Sequence, residues 1–264
     1  MSEKRPPRDG PTDTTRLSVI VPVYNEAETV VQVIERVLSV DLEGFEREII
    51  VVNDGSTDGT AEILERMDSQ WPDLVKVDNH EQNRGKGAAV RTALEHVTGD
   101  IVITQDADLE YDPEDYPKLL ALFEDPTVQV VYGSRNLRKN PRSSWSFYWG
   151  GRLVSWVSNL LYGSELTDEA TGYKLLRADL LRSLDLQADG FEFCPEVTSK
   201  VLRRGVKIHE VPISYQPRSL EEGKKISWRD GLQAIWTLVR HRLQRDVTAK
   251  PGSERPVSSP GRDV

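Results

Sequence analysis

A single cysteine, Cys194, excludes an intramolecular disulfide, and no paired Cys or His spacing suggests a zinc site. Its thiol reads as packed and inert, in a chain suited to a reducing compartment. The four histidines are scattered and carry no catalytic pattern. Positive charge is in deficit: 34 Lys and Arg against 43 Asp and Glu give a net charge of −9 and a pI near 5.1. That is the wrong sign for holding nucleic acid through its phosphates. No apolar run reaches the roughly 18 residues of a spanning helix, and the N-terminal segment lacks the apolar core of a signal peptide. The expected location is therefore the cytoplasm. Residues 1–16 and 246–264 have too few apolar side chains to offset ordering entropy, so disordered tails are expected around one domain at 17–245.

What the chain has is alternation. Apolar, β-branched runs at Leu17–Val23, Glu48–Val52, Leu74–Val77, Ile101–Ile103 and Val128–Tyr132 read as strands. Helical patterns follow them at 26–39, after a cap at Asp58, at 88–97, and from Asp112-Pro113 to about Phe123. Such a rhythm predicts an α/β fold, a Rossmann-like, mostly parallel sheet with helices on both faces. Ligands of these sheets bind beyond the carboxyl ends of the strands, where strand order reverses. Tyr24, Asn25 and Glu26, then Asp54-Gly55-Ser56, then Asp106 and Asp108, then Gly133-Ser134-Arg135 all fall at such ends. One site can collect them.

The stretch DIVITQDADLEYD (100–112) carries the chemistry. In extended backbone Asp106, Asp108 and Glu110 share a face and Ala107 turns away. Three carboxylates at a strand mouth suit Mg²⁺ or Mn²⁺, which take carboxylates together with substrate phosphate oxygens. The alternative is a solvated acidic turn. A carboxylate at Asp54 can accept from the N–H edge of a nucleobase, with Gly55 letting the ring approach. A diphosphate would then lie over Asp106, Ala107 and Asp108, and a nucleotide sugar is the natural donor. Arg135, Arg218, Lys224 and Lys225 can hold phosphates by charge-assisted bonds. Lys86, between two glycines without P-loop spacing, joins the nucleotide-facing set.

Later the rhythm changes. Residues 143–163 read as an amphipathic helix with Trp145, Trp149, Leu153, Trp156 and Leu160 along one stripe. No acidic residue lies between Asp125 and Glu165, while Arg135, Arg138, Lys139, Arg142 and Arg152 add positive charge. Trp beside Arg fits the water–lipid boundary; the other reading is a Trp-rich helix packed on the core. A turn at 168–172, helices at 178–184 and 195–204, a strand at 207–215, a basic loop at 218–225 and a last helix at 228–243 complete the chain. In that helix Leu232, Ile235, Trp236 and Val239 form the apolar side.

The segments VPVYNE, VVNDGSTDGT, NRGKGAAVRTAL, QDADLEYDPED, YGSR and ATGYK, in this order, resemble family 2 glycosyltransferases. With VPISYQPRSLEEGKKISWRDG (211–231) the likeness narrows to the dolichyl-phosphate mannose synthase branch, over about residues 17–243. The resemblance implies a GT-A fold, a metal ion, and inverting transfer of one sugar from GDP-mannose or UDP-glucose to a polyprenyl (dolichyl or undecaprenyl) phosphate. By position, Pro22, Tyr24, Glu26 and Asp54 resemble base and ribose contacts. Asp106, Asp108 and Glu110 resemble the metal cluster, and Arg135, Arg218 and Lys224 the phosphate-binding residues. Glu110 stands where relatives commonly have Gln, and Asn53 where they have a first Asp. A nucleotide-sugar half at 17–135 and an acceptor half at 136–245, with a C-terminal helical extension, are implied. Attachment to the cytoplasmic membrane face would come from the Trp-rich segment, the last helix or a partner protein. Were the acceptor a hydroxyl, a base would be required, with Asp168 or Glu169 the candidate. A nucleotide-binding subunit without turnover is the remaining alternative.

Overall fold

The β-branched runs become strands in the computed structural model, which describes residues 14–141, 145–218 and 227–244. Seven strands, β1 (Thr15–Val23), β2 (Phe45–Asn53), β3 (Val75–Asn79), β4 (Ile101–Thr104), β5 (Val130–Ser134), β6 (Lys174–Arg177) and β7 (Ile208–Pro212), form one sheet. Its order is β3-β2-β1-β4-β6-β5-β7. Only β6 runs against its neighbours β4 and β5; the other pairings are parallel. The helices are α1 (Val30–Ser39), α2 (Thr60–Gln70), α3 (Lys86–His96), α4 (Tyr116–Leu120), α5 (Trp145–Tyr162), α6 (Ala178–Ser183), α7 (Phe193–Arg203) and α8 (Trp228–Leu243).

Both faces of the sheet are covered, which is why its strands read as continuous apolar runs. Val19, Val21, Ile101 and Ile103 pack with Val30 and Ile34 of α1 on one face. Ile20, Val52 and Val102 pack with Ala89, Val90 and Ala93 of α3 on the other. The chain winds outward from β1 to β2 and β3, then returns to place β4 on the far side of β1. That reversal opens a crevice at the carboxyl ends of β1 and β4.

Several expectations need correction. Strand β6 was not anticipated, because four residues, KLLR, leading directly into α6 are too few to show a period. The first helix starts at Val30, after a turn at 27–29 that follows Asn25 (φ +50°). Gly59 (φ +87°) caps α2; Asp58 instead accepts from the Thr60 N–H and hydroxyl at 3.1 and 2.5 Å. Asp112 does cap its segment through the Glu114 N–H, at 3.2 Å. The helix beyond it is broken, with 3₁₀ turns at Pro113–Asp115 and Ala121–Glu124 around α4. The Trp-rich helix is not packed on the core by its aromatic stripe: Trp145, Trp149, Leu153, Trp156 and Leu160 are all exposed. Its buried side is Val154, Ser155 and Ser158. Likewise Leu232 and Trp236 of α8 are exposed, while Thr237 and Leu238 are buried. Lys224, Lys225 and most of the basic loop lie outside the described residues.

Gly87, the second residue of α3, is backed against the chain at 188–189: an added Cβ would collide with the Ala188 carbonyl. Ordinarily Gly→Ala inside a helix stabilises by up to about 1 kcal/mol. Here Gly87→Ala is expected to destabilise by about 1–3 kcal/mol, the usual range for overpacking. Denaturant unfolding reads the sign directly.

Candidate active site

The crevice between β1 and β4 widens into a cleft of about 1430 Å³. Pro22, Tyr24, Glu26, Asp54, Lys86, Asp106, Ala107, Asp108, Glu110, Arg135, Asp168 and Arg218 all line it. The structure thus brings these nominated residues together, although Asn25, Gly55, Ser56, Gly133 and Ser134 do not line the cleft, and side-chain directions differ from expectation.

The acidic stretch is a turn, not extended backbone: β4 ends at Thr104 and Leu109 has φ +62°. Alternation therefore fails, and the three carboxylates do not share a face. The Glu110 side chain accepts from the Tyr215 hydroxyl and the Arg218 N–H, both at 2.7 Å. It ties the 215–218 segment to the site. No group of three or more His, Cys, Asp or Glu side chains is placed to hold a metal among the described residues. Asp106 and Asp108 remain. Burial, and then the charges of Asp106 and Glu110, push the Asp108 carboxyl up to about 7, against the pull of the Glu110 N–H and Arg218. Two crowded hard oxygen donors beside a space for phosphate fit Mg²⁺ or Mn²⁺, which ordinarily bind one or two carboxylates plus substrate oxygens.

Each of three cleft cations is matched to a carboxylate. Lys86 Nζ lies 2.5 Å from Asp106 Oδ1. Burial alone would lower the ammonium's pKa, but the Asp106 charge outweighs it and the pKa is raised. Arg218 donates to both carboxylate oxygens of Glu26 at 3.2 and 2.9 Å, and through Nε to the Asp108 carbonyl at 2.7 Å. Arg135 grips Asp168 with Nε and a terminal nitrogen, each at 2.7 Å, and with its own backbone N–H at 2.9 Å. With both oxygens engaged by one guanidinium, Asp168 is poorly suited to be a base and instead aims Arg135. Asp54 also faces the protein: it accepts from His80 Nδ1 (2.7 Å) and from the N–H groups of Arg84 (2.9 Å) and Gly85 (2.7 Å). A nucleobase contact there would be an addition to these three bonds.

Some neighbours escaped notice in the sequence. Tyr111 stacks on Tyr173 with ring centroids 4.6 Å apart, and its hydroxyl accepts from the Gly172 N–H at 2.7 Å. Gln105 Oε1 accepts from the hydroxyls of both Tyr116 and Tyr173 at 2.6 Å. Thr29 donates to the Ala107 carbonyl at 2.7 Å and accepts from Arg218 at 3.3 Å. The only signal for these was proximity to motifs. Glu169, weighed earlier as a base, is buried and neither carboxylate oxygen has a hydrogen-bond partner; Lys174 Nζ stands 3.9 Å away.

The cleft also has basic and apolar lining. Arg138, Lys139 and Arg152 line it, and none forms an ion pair among the described residues. Leu153, Val154, Trp228, Leu232 and Ile235 line it as well, from α5 and α8, which pack on each other. Five of the six tryptophans, Trp145, Trp149, Trp156, Trp228 and Trp236, are at least 60% exposed on these two helices. Contiguous exposed aromatic residues mark an interaction surface. No helix among the described residues is long and apolar enough to cross a membrane.

Comparison with known proteins adds to this geometry. Residues 18–184 match the family model described as Glycosyl transferase family 2. The chain is 32% identical over 249 residues to an undecaprenyl-phosphate mannosyltransferase of Micrococcus luteus, covering 86% of this chain and 99% of that protein. It is 30% identical over 216 residues to a dolichol-phosphate mannosyltransferase of Pyrococcus furiosus, covering 79% of this chain but 59% of the relative. Among solved structures, a glucosyl-3-phosphoglycerate synthase from Mycobacterium tuberculosis with Mn²⁺, UDP and phosphoglyceric acid shares the fold. The TM-score is 0.64 at 24% identity, covering 88% of this chain and 80% of that one.

Asp168 is almost fully buried against Arg135. Breaking a buried pair by removing one charge typically costs about 3–5 kcal/mol, whereas replacing both partners costs much less. Asp168→Asn is expected to destabilise by about 3 kcal/mol, at the low end of that range because Arg135 is partly exposed. The Arg135→Met/Asp168→Leu double variant should recover part of the loss, and a double-mutant cycle by chemical unfolding measures the difference.

Proposed function

The chain belongs to glycosyl transferase family 2, and from this premise we propose that it moves one hexose, mannose or glucose, from a nucleoside-diphosphate sugar to a polyprenyl phosphate. The reaction inverts the sugar and takes place at the cytoplasmic membrane face. One observation carries this reading: a single cleft gathers carboxylates, cations that form no ion pair among the described residues, and apolar side chains beside exposed tryptophans. A charged donor, a phosphate and a lipid tail each find matching chemistry along it. Residues 17–135 serve mainly the donor and residues 136–245 the acceptor.

Pro22, Tyr24 and Glu26 flank the nucleoside, with Asp54 holding the turn that carries Lys86. Asp106 and Asp108 would hold Mg²⁺ or Mn²⁺, and the ion would stabilise negative charge on the departing diphosphate. Arg135, aimed by Asp168, and Arg218, anchored on Glu26 and Glu110, present fixed positive charge to phosphate oxygens, with Lys224 assigned the same task. Arg138, Lys139 and Arg152 serve the acceptor side. A phosphate monoester has a second pKa of about 6, so it is mostly a dianion at neutral pH and must be held, not deprotonated. The carboxylates of the donor end are engaged with donors, which suits an acceptor that needs no base. The second reading, a hydroxyl acceptor, is favoured only by the Glu169 carboxylate, which accepts no hydrogen bond among the described residues and has the Lys174 ammonium 3.9 Å away.

Attachment follows from α5 and α8. Their exposed Trp and Leu side chains, with Arg152, Arg229, Arg240 and Arg242 on the same helices, suit an anionic lipid surface. A membrane protein covering this face is the alternative.

With a panel of GDP- and UDP-sugars and Mn²⁺, transfer to polyprenyl phosphate is expected, and none to free polyprenol. Asp108→Asn should lose about 10²-fold or more in rate. Arg218→Ala should lose most of the activity, while folded Asp168→Asn keeps a measurable part. Robust transfer to the free alcohol would promote the hydroxyl reading.

The protein should also float with anionic liposomes, and Trp149→Ser/Trp156→Ser should weaken flotation. Unchanged flotation of the double variant would remove α5 from the attachment surface.

A further inference from the structure

One of the two Asp106 carboxylate oxygens is already taken: Oδ1 holds the Lys86 ammonium at 2.5 Å, while Oδ2 faces Gly172. Lys86 cannot simply swing into solvent. It opens α3 between Gly85 (φ +97°) and Gly87, both backed against the chain at 188–190, and its side chain is only 13% exposed. Asp108, by contrast, forms no ion pair among the described residues; its side chain accepts the Glu110 N–H at 3.1 Å. An ion that uses Oδ1 of Asp106 together with Asp108 therefore competes with Lys86 for that oxygen. Two cations on one carboxylate oxygen repel, so such an ion drives the ammonium toward another anion.

We propose that Lys86 is a positioning residue that acts as a built-in counterion, coupling divalent-cation binding at Asp106 and Asp108 to diphosphate binding. This rests on the reading above only in that the cleft takes a nucleoside diphosphate with a divalent cation. While the cleft is empty, Lys86 neutralises Asp106 and competes with the metal. When a diphosphate arrives, the ammonium transfers to its oxygens and Oδ1 is released to the ion. Because such coupling is reciprocal, the cation strengthens diphosphate binding by the same factor. The device keeps the acidic pair from capturing a cation before a donor is present.

The test follows free Mn²⁺ by its electron paramagnetic resonance signal, with no sugar transfer required. Wild-type protein should bind Mn²⁺ weakly alone and at least about tenfold more tightly with UDP or GDP, within the usual range for coupled sites. K86M and K86Q should each bind Mn²⁺ alone at least about tenfold more tightly than wild type and lose most of the nucleotide effect. K86R, which can keep the ion pair, should behave as wild type. Melting curves of the two uncharged variants identify which is folded, and either suffices. Mn²⁺ binding in the folded variant that is no tighter than wild type overturns the proposal. If the coupling is present but wild type glycosylates no polyprenyl phosphate, the counterion role stands and the acceptor assignment falls.

Discussion

Opposite charges enclosed in a cleft have to find one another, and here that requirement sets the direction of nearly every polar side chain at the donor end. Lys86 meets Asp106 across 20 residues of sequence, Arg135 meets Asp168 across 33, and Arg218 meets Glu26 across 192. In surroundings less polarisable than water an unpaired charge is expensive, and a charge with a partner is held firmly. The pairs join β1, β4, β5 and the segment after β7 around one opening. They also mean that a ligand enters by exchanging partners, not by filling a vacant field of positive charge.

This explains which parts of the site were legible in the sequence. Charged residues at strand ends are visible as a string of letters, and the sheet gathers them as the alternation requires. Their partners are not visible, because Glu26 and Arg218 are brought together only by the complete fold. Asp54 reads in the sequence as a ligand-facing carboxylate, and nothing local reveals that the N–H groups of Arg84 and Gly85 also reach it. The acidic stretch was misread for a smaller reason. The strand ends at Thr104 and a positive φ at Leu109 turns the chain further, so Glu110 no longer alternates in line with Asp106 and Asp108. Strands β1, β2, β4 and β5 were legible since burial on both faces leaves an unmistakable apolar run; β6 was not, being short and continuous with a helix.

Helix α5 inverts the usual arrangement of a helix on a protein surface. Serines face inward at 155 and 158, and tryptophans face outward at 145, 149 and 156. The inward side makes specific polar contacts, such as the Ser155 hydroxyl accepting the Glu169 N–H at 2.9 Å. Val154 adds apolar burial on the same side, while the exposed tryptophans and leucines leave much apolar area for whatever meets the outer face.

The antiparallel strand β6 bears on how the protein is made. Strands β4 and β5 never pair with each other; β6 lies between them, with Ile103 opposite Leu175 on one side and Leu175 opposite Val131 on the other. As the chain emerges from the ribosome, β1 to β4 can associate as soon as they appear. Strand β5 must wait for Lys174–Arg177 before it gains a link to that growing edge. Until then the edge of β4 is open and the site has no far wall. A translational pause in the α5 region would prolong that exposed state.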